Sequence, residues 1–172
     1  MEIYNTFKVD YKSILFVSNS LPKFDYDSGS NRFKEILKFF IENEYSCFLL
    51  VNEKCQKEEK HIKNFIEIGV KVIYSLYDLS CVQYVWFNGP NSFKKNLNFV
   101  SQHLPKSKII YDMVDVHFLR YKRSLLLNPF KISDYKRYFK YKKIETKLIK
   151  KASIVVAISE KEKELISKYV SP

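Results

Sequence analysis

The 172-residue sequence predicts an α/β protein: a doubly wound, mainly parallel sheet of about six strands with helices on both faces. Three observations predict it. Strand-sized apolar runs alternate with amphipathic segments along the whole chain. These runs are continuously apolar rather than half-polar, as in a parallel sheet buried on both faces. And the first run ends in a small polar turn that opens a helix, which is how such sheets build sites at the carboxyl ends of their strands.

The first strand is ILFV at residues 14–17, rich in β-forming side chains. Polar Ser18, Asn19 and Ser20 end it, and a proline-containing loop leads to Asp27-Ser28-Gly29-Ser30. From Asn31 the spacing turns helical, with Phe33, Ile36, Leu37 and Phe40 three and four apart. YSCFLLV at 45–51 is the second strand, closed by Asn52. After the charged segment 53–60, Ile62, Phe65 and Ile66 mark a helix that Gly69 stops. VKVIY at 70–74 is the third strand and QYVWF at 83–87 the fourth, closed by Asn88-Gly89-Pro90. Asn91-Ser92 is expected to cap a helix through Phe93, Leu97 and Val100 that ends before Pro105. KIIYDM at 108–113 is the fifth strand and runs into Val114-Asp115-Val116-His117. A short helix at 119–127 precedes Asn128-Pro129. Tyr135, Tyr138, Tyr141, Ile144, Leu148 and Ala152 then predict one long amphipathic helix over 131–151. SIVVAI at 153–158 is the sixth strand, and Ser159 with Glu162 forms a capping box for the last helix. The sum is a Rossmann-like domain over 1–172.

With 46% apolar residues the chain is globular rather than disordered. Its net charge of +11 attracts anions such as phosphate esters, an acidic membrane face or nucleic acid. Cys47, Cys55 and Cys81 are odd in number and form no C-x-x-C pair, which argues against disulfides and zinc and for a reducing compartment. Residues 1–12 carry no signal pattern, and the longest apolar runs are strand-sized. The expectation is a cytoplasmic protein, peripheral at most on the inner membrane face. The end of the chain directly after a helix suggests one domain of a longer protein.

Ligands of open parallel sheets bind outside the carboxyl ends of the strands. The polar residues at those ends are therefore the candidates: 18–30, Asn52, 88–91, 112–117 and Ser159-Glu160. The loop before the first helix offers free N–H groups and a positive dipole end, which suit a phosphate. The alternative is that Asp27, Ser28 and Ser30 only cap that helix. Neither G-x-G-x-x-G nor G-x-x-x-x-G-K-[ST] is present, which weighs against nicotinamide and P-loop nucleotides. In an extended 112–117 segment Asp115 and His117 share a face and Asp112 points away. That pair suits hydrogen bonding or acid–base work at a sugar hydroxyl, or else an Asp that caps the next helix. A metal site would need a third ligand at sensible spacing, and none is present. Residues 131–151 hold nine basic residues against Asp134 and Glu145. They read as a solvated face first, a peripheral membrane contact second, and a nucleic-acid surface last.

The ordered series ILFVSNSLPKFDYDSGSNR, YVWFNGP, KIIYDMVDVHFLR and ASIVVAISEKEKELI resembles the N-terminal domain of family 4 glycosyltransferases, retaining enzymes of the two-domain GT-B fold. The resemblance spans essentially the whole chain. It implies that Gly29, with Ser28 and Ser30 beside it, approaches the donor phosphates and the acceptor. Arg32 takes the family's basic position at the start of the helix. The family's His, often His-Asp, near the transferred sugar corresponds to Asp115-Val116-His117, so catalytic roles fall to Asp115 or His117. Asn88, Ser159 and Glu160 complete the set expected at donor and acceptor.

The resemblance further implies transfer of a hexose from a nucleoside-diphosphate sugar to a glycan or lipid-linked acceptor, as in cell-surface polysaccharide synthesis. No metal or other cofactor is expected. The nucleotide-sugar would be held mainly by a C-terminal Rossmann-like domain, so this domain alone is expected to be inactive. The alternative is a stand-alone basic module for nucleic acid or anionic lipid, motivated by the +11 charge; the first reading expects no nucleic acid. A receiver domain does not fit, because no acidic pair follows the first strand.

Overall fold

The computed structural model describes residues 12–24, 26–51 and 58–169. Its elements run β1 (Ser13–Ser18), α1 (Ser28–Glu42), β2 (Ser46–Leu50), α2 (Glu59–Glu67), β3 (Lys71–Ile73), β4 (Tyr84–Asn88), α3 (Gly89–His103), β5 (Lys108–Asp112), α4 (His117–Leu127), α5 (Ile132–Ile149), β6 (Ile154–Val156) and α6 (Glu160–Ser167). The sheet has the order β3-β2-β1-β4-β5-β6. Every neighbouring pair is parallel. The chain builds outward from β1 to β3, then returns to lay β4 on the other side of β1, so the winding reverses between β1 and β4. At such a reversal the connections leave in opposite directions and open a crevice at the carboxyl edge. The predicted doubly wound class is the observed one.

The continuous apolar strands have their physical reason in two separate cores. Ile14 and Phe16 of β1 and Trp86 of β4 pack with Phe33 and Leu37 of α1 and Phe65 of α2. Leu15, Val17, Val85, Phe87 and Tyr111 point the other way, to Phe93 and Leu97 of α3, Leu148 of α5 and Ile166 of α6. Period-two alternation thus feeds both faces, which leaves no room for a polar residue inside a central strand. Rings dominate the contacts: Phe16 meets Phe33 edge-on at 5.4 Å, and Phe87 stacks on Phe93 at 4.6 Å. Burial among these side chains pushes the Cys47 thiol up to about 12, so it is inert.

Helix α3 differs from the sequence expectation. It starts at Gly89, not after an Asn91-Ser92 cap. Gly89 takes φ +80°, a turn out of β4 that a side chain resists, and Pro90 occupies the first turn, where no N–H is needed. Ser92 is already inside the helix, fully buried, and its hydroxyl donates back to the Asn88 and Gly89 carbonyls at 2.7 and 3.0 Å. Gly69, at φ +92°, does close α2 as expected, its N–H donating to the Ile66 carbonyl at 2.9 Å. Asn52 and Cys55 lie outside the described residues.

Candidate functional site at the carboxyl edge

A cleft of about 420 Å³ opens at the β1/β4 reversal. Ser18 at the end of β1, Asp27, Gly29 and Ser30 where α1 begins, Asn88 at the end of β4, and Val114 after β5 line it. Asn88 reaches from its strand to the neighbouring one, its Nδ2 3.5 Å from the Ser18 Oγ.

The turn into α1 is tightly built. Asp27 is extended at the N-cap, and its Oδ1 accepts from the Ser30 N–H at 2.8 Å. The Ser30 hydroxyl donates to Asp27 Oδ2 at 2.8 Å and accepts from the Lys23 N–H at 3.1 Å, stitching the loop to the helix. The Ser30 backbone and hydroxyl donors hold the Asp27 carboxyl below its ordinary range. Gly29 has no left-handed φ; a Cβ there would stand 3.1 Å from Asp27 Oδ1. Its missing side chain therefore keeps the cap carboxylate in place and the backbone open to the cleft. Capping and a cleft-facing backbone coexist in this turn. Ser28 is exposed on the same first turn.

Arg32 lies one turn along α1, and its guanidinium grips the Asp112 carboxylate with two bonds, Nη1 to Oδ2 at 2.7 Å and Nη2 to Oδ1 at 3.0 Å. Asp112 is wholly buried, and Asp112 Oδ1 also accepts from the Val114 N–H at 3.3 Å. The predicted phosphate-binding arginine thus ties the first helix to the end of β5, beneath the cleft wall. A fork of this geometry fixes both partners rather than leaving the guanidinium to roam.

Beyond Asp112 the chain does not stay extended, so Asp115 and His117 do not share a strand face as the alternation predicts. The strand ends at Asp112, and Val114 turns the chain at φ +42°, a conformation β-branched residues resist. The Asp115 N–H donates to the Met113 carbonyl across that turn. The Asp115 carboxylate meets Arg120 at 3.2 Å. His117 opens α4 and is held from α5: Glu145 Oε1 sits 2.9 Å from its Nδ1 and accepts its backbone N–H at 3.1 Å, while Oε2 accepts the Phe118 N–H at 3.1 Å. The ring also stacks on Tyr141 at 4.7 Å. With a carboxylate oxygen as its neighbour, Nδ1 is the ring's donor toward Glu145, and Nε2 is the ring atom left for another partner. Val114 reaches the cleft; Asp115 and His117 lie behind it, toward α4 and α5.

Glu145 is the residue the sequence reading missed. It is fully buried, on the apolar stripe of the basic helix, four residues after Tyr141 and three before Leu148. A carboxylate on a buried stripe must find donors, and that was the available signal.

Ser159 and Glu160 sit at the end of β6, two strands from β4 and so about 10 Å out along the edge. Ser159 caps α6 through the Glu162 N–H at 3.3 Å, and exposed Glu160 pairs with Lys163 at 3.2 Å. Burial, aided by the charges of Asp115 and Glu145, raises the Glu162 carboxyl above its ordinary range. A raised folded-state carboxyl destabilises the fold once it ionises. That penalty is absent below the unfolded value and grows as pH rises through the folded one. Glu162→Gln is therefore expected to raise the melting temperature at pH 7 relative to wild type, with the gain vanishing near pH 4.

Among the described residues no three His, Cys, Asp or Glu side chains converge in a metal-binding group, and no helix is long and apolar enough to cross a membrane. No protein-family model, curated protein or solved structure matches the chain.

Proposed function

We propose that this domain is the acceptor-side half of a retaining glycosyltransferase that moves a hexose from a nucleoside-diphosphate sugar to a glycan or lipid-linked acceptor in cell-surface polysaccharide synthesis. The observation that carries the reading is the cleft at the β1/β4 reversal, where Ser18, Gly29, Ser30 and Asn88 present small polar groups and open backbone beside the start of α1. It joins the motif series that resembles the family. In this reading the first turn of α1 faces the diphosphate, and its dipole and backbone N–H groups stabilise the charge that develops as the diphosphate departs. Arg32 and Asp112 hold that turn against the β5 end. His117, oriented by Glu145, and Asp115 serve sugar hydroxyls from behind Val114, on the α4 side of the cleft, while Ser159 and Glu160 form the outer rim. A second Rossmann-like domain supplies most of the nucleotide-sugar contacts, and no metal or other cofactor takes part.

The test is transfer from a panel of nucleoside-diphosphate hexoses, comparing the product of the complete reading frame with residues 1–172 alone. The expected result is transfer with retained anomeric configuration by the former and none by the latter. Turnover by residues 1–172 alone would overturn the two-domain reading. The +11 charge supports a second reading, a basic nucleic-acid module. That module would lose roughly 10³-fold or more in affinity between about 50 and 200 mM salt if it neutralised about six phosphates.

A further inference from the structure

The α4–α5 hairpin ends in an apolar elbow exposed to solvent. Leu127 and Phe130 are 88% and 90% exposed, and Leu126 and Ile132 beside them 76% and 71%. Phe139 and Tyr135 extend the exposed apolar surface along α5. Clustered apolar side chains of this kind mark an interaction surface.

The shaft behind the elbow is cationic and carries no exposed anion. Lys122, Arg123, Lys136, Lys140 and Lys143 are exposed. The two carboxylates of 117–151, Asp134 and Glu145, are 1% and 0% exposed and are already engaged. Asp134 accepts from the Ser124 hydroxyl at 2.6 Å and pairs with Lys131 at 3.0 Å, closing the elbow. Glu145 caps α4. Because Glu145 stands level with His117 at the sheet edge, the eleven residues of α4 carry the elbow about 16 Å from that edge. Among the secondary-structure elements α4 packs chiefly on α5, and the root of the hairpin joins the core through Phe118, Leu148 and Ile149, so it is the elbow end that stands clear of the core.

We propose that this arm is a peripheral anchor for anionic lipid: Leu126, Leu127, Phe130 and Ile132 enter the boundary between headgroups and acyl chains, and the shaft cations meet the anionic headgroups. Charge complementarity selects this occupant. A second copy of the arm would set cation against cation, and nucleic acid would satisfy the shaft but leave the elbow in water. The inference stands independently of glycosyl transfer.

Vesicle flotation of the 172-residue chain tests it, using phosphatidylcholine vesicles with and without about 30% phosphatidylglycerol, in about 0.1 M salt. Binding to the anionic vesicles is expected to be at least about tenfold tighter than to the neutral ones. Leu127→Ser/Phe130→Ser is expected to weaken it by about tenfold or more. Its melting curve should stay that of the wild type, because both side chains are exposed. Lys136→Glu/Lys140→Glu is expected to remove the preference for phosphatidylglycerol. Equal binding to both vesicles, or anionic binding that survives Leu127→Ser/Phe130→Ser, overturns the proposal. So does self-association that the serine variant abolishes, or preference for single-stranded nucleic acid over anionic vesicles.

Discussion

Arg32→Met lowers the unfolding free energy by about 3 kcal/mol, enough to move the melting temperature by roughly 6–12 °C in a chain of this size. The cause is the asymmetry of the pair. Asp112 is fully buried while the Arg32 side chain is about one-third exposed, at 32%. Removing the guanidinium strands a buried carboxylate with, among the described residues, the Val114 N–H at 3.3 Å as its remaining donor, and an uncompensated buried charge costs far more than a surface pair is worth. The double variant Arg32→Met/Asp112→Leu recovers most of the loss, because no charge then remains to be desolvated. A denaturant-unfolding cycle over the two singles and the double measures this. A loss under about 1 kcal/mol for Arg32→Met would mean the pair behaves as a solvated surface bridge.

Glu145→Ala is expected to cost about as much, by a different route. One side chain serves the backbone N–H groups of His117 and Phe118 and the His117 ring. Its loss leaves the start of α4 uncapped in a buried setting, where hydrogen bonds to a charged group are worth about 1.5–3 kcal/mol. Because bonds that share one acceptor are not additive, the total stays near 3 kcal/mol. Glu145→Gln keeps two acceptor lone pairs on one oxygen but turns an NH₂ toward one of the donors, so it falls between alanine and wild type. Hydrogen exchange at the Phe118 amide reads the effect locally: protection should fall sharply in Glu145→Ala. Unchanged protection there would show that Glu145 does not hold the helix start.

These two interactions mark where the sequence stops being legible. The strands and helices could be read because the local pattern and the tertiary burial agree: a run such as ILFV feeds one core with Ile14 and Phe16 and the other with Leu15 and Val17. The start of α3 could not, because the φ of Gly89 decides it and no periodicity reports a dihedral. Pairings across long separations were equally invisible. Arg32 and Asp112 stand 80 residues apart, and only the closeness of α1 to the end of β5 joins them. The candidate site was legible as an edge of the sheet, so Gly29, Ser30 and Asn88 come together at the cleft. The finer geometry of Asp115 and His117 was not, since it hinges on the turn at Val114 and on a carboxylate from another helix. The basic helix was read by its charge, whereas its exposed apolar elbow appears only once packing shows which side chains the core leaves out.

The central claim is that the crevice between the ends of β1 and β4 is the ligand site. Amide chemical-shift mapping of the ¹⁵N-labelled chain, titrated with nucleoside-diphosphate hexoses and simple glycosides, tests it most directly. The expected shifts centre on Ser18, Gly29, Ser30, Asn88 and Val114 and reach Asp115 and His117 beside them, and they are lost in Gly29→Val while the fold's remaining resonances hold their positions. Shifts that centre on the α4–α5 arm, or that persist unchanged in Gly29→Val, would contradict it.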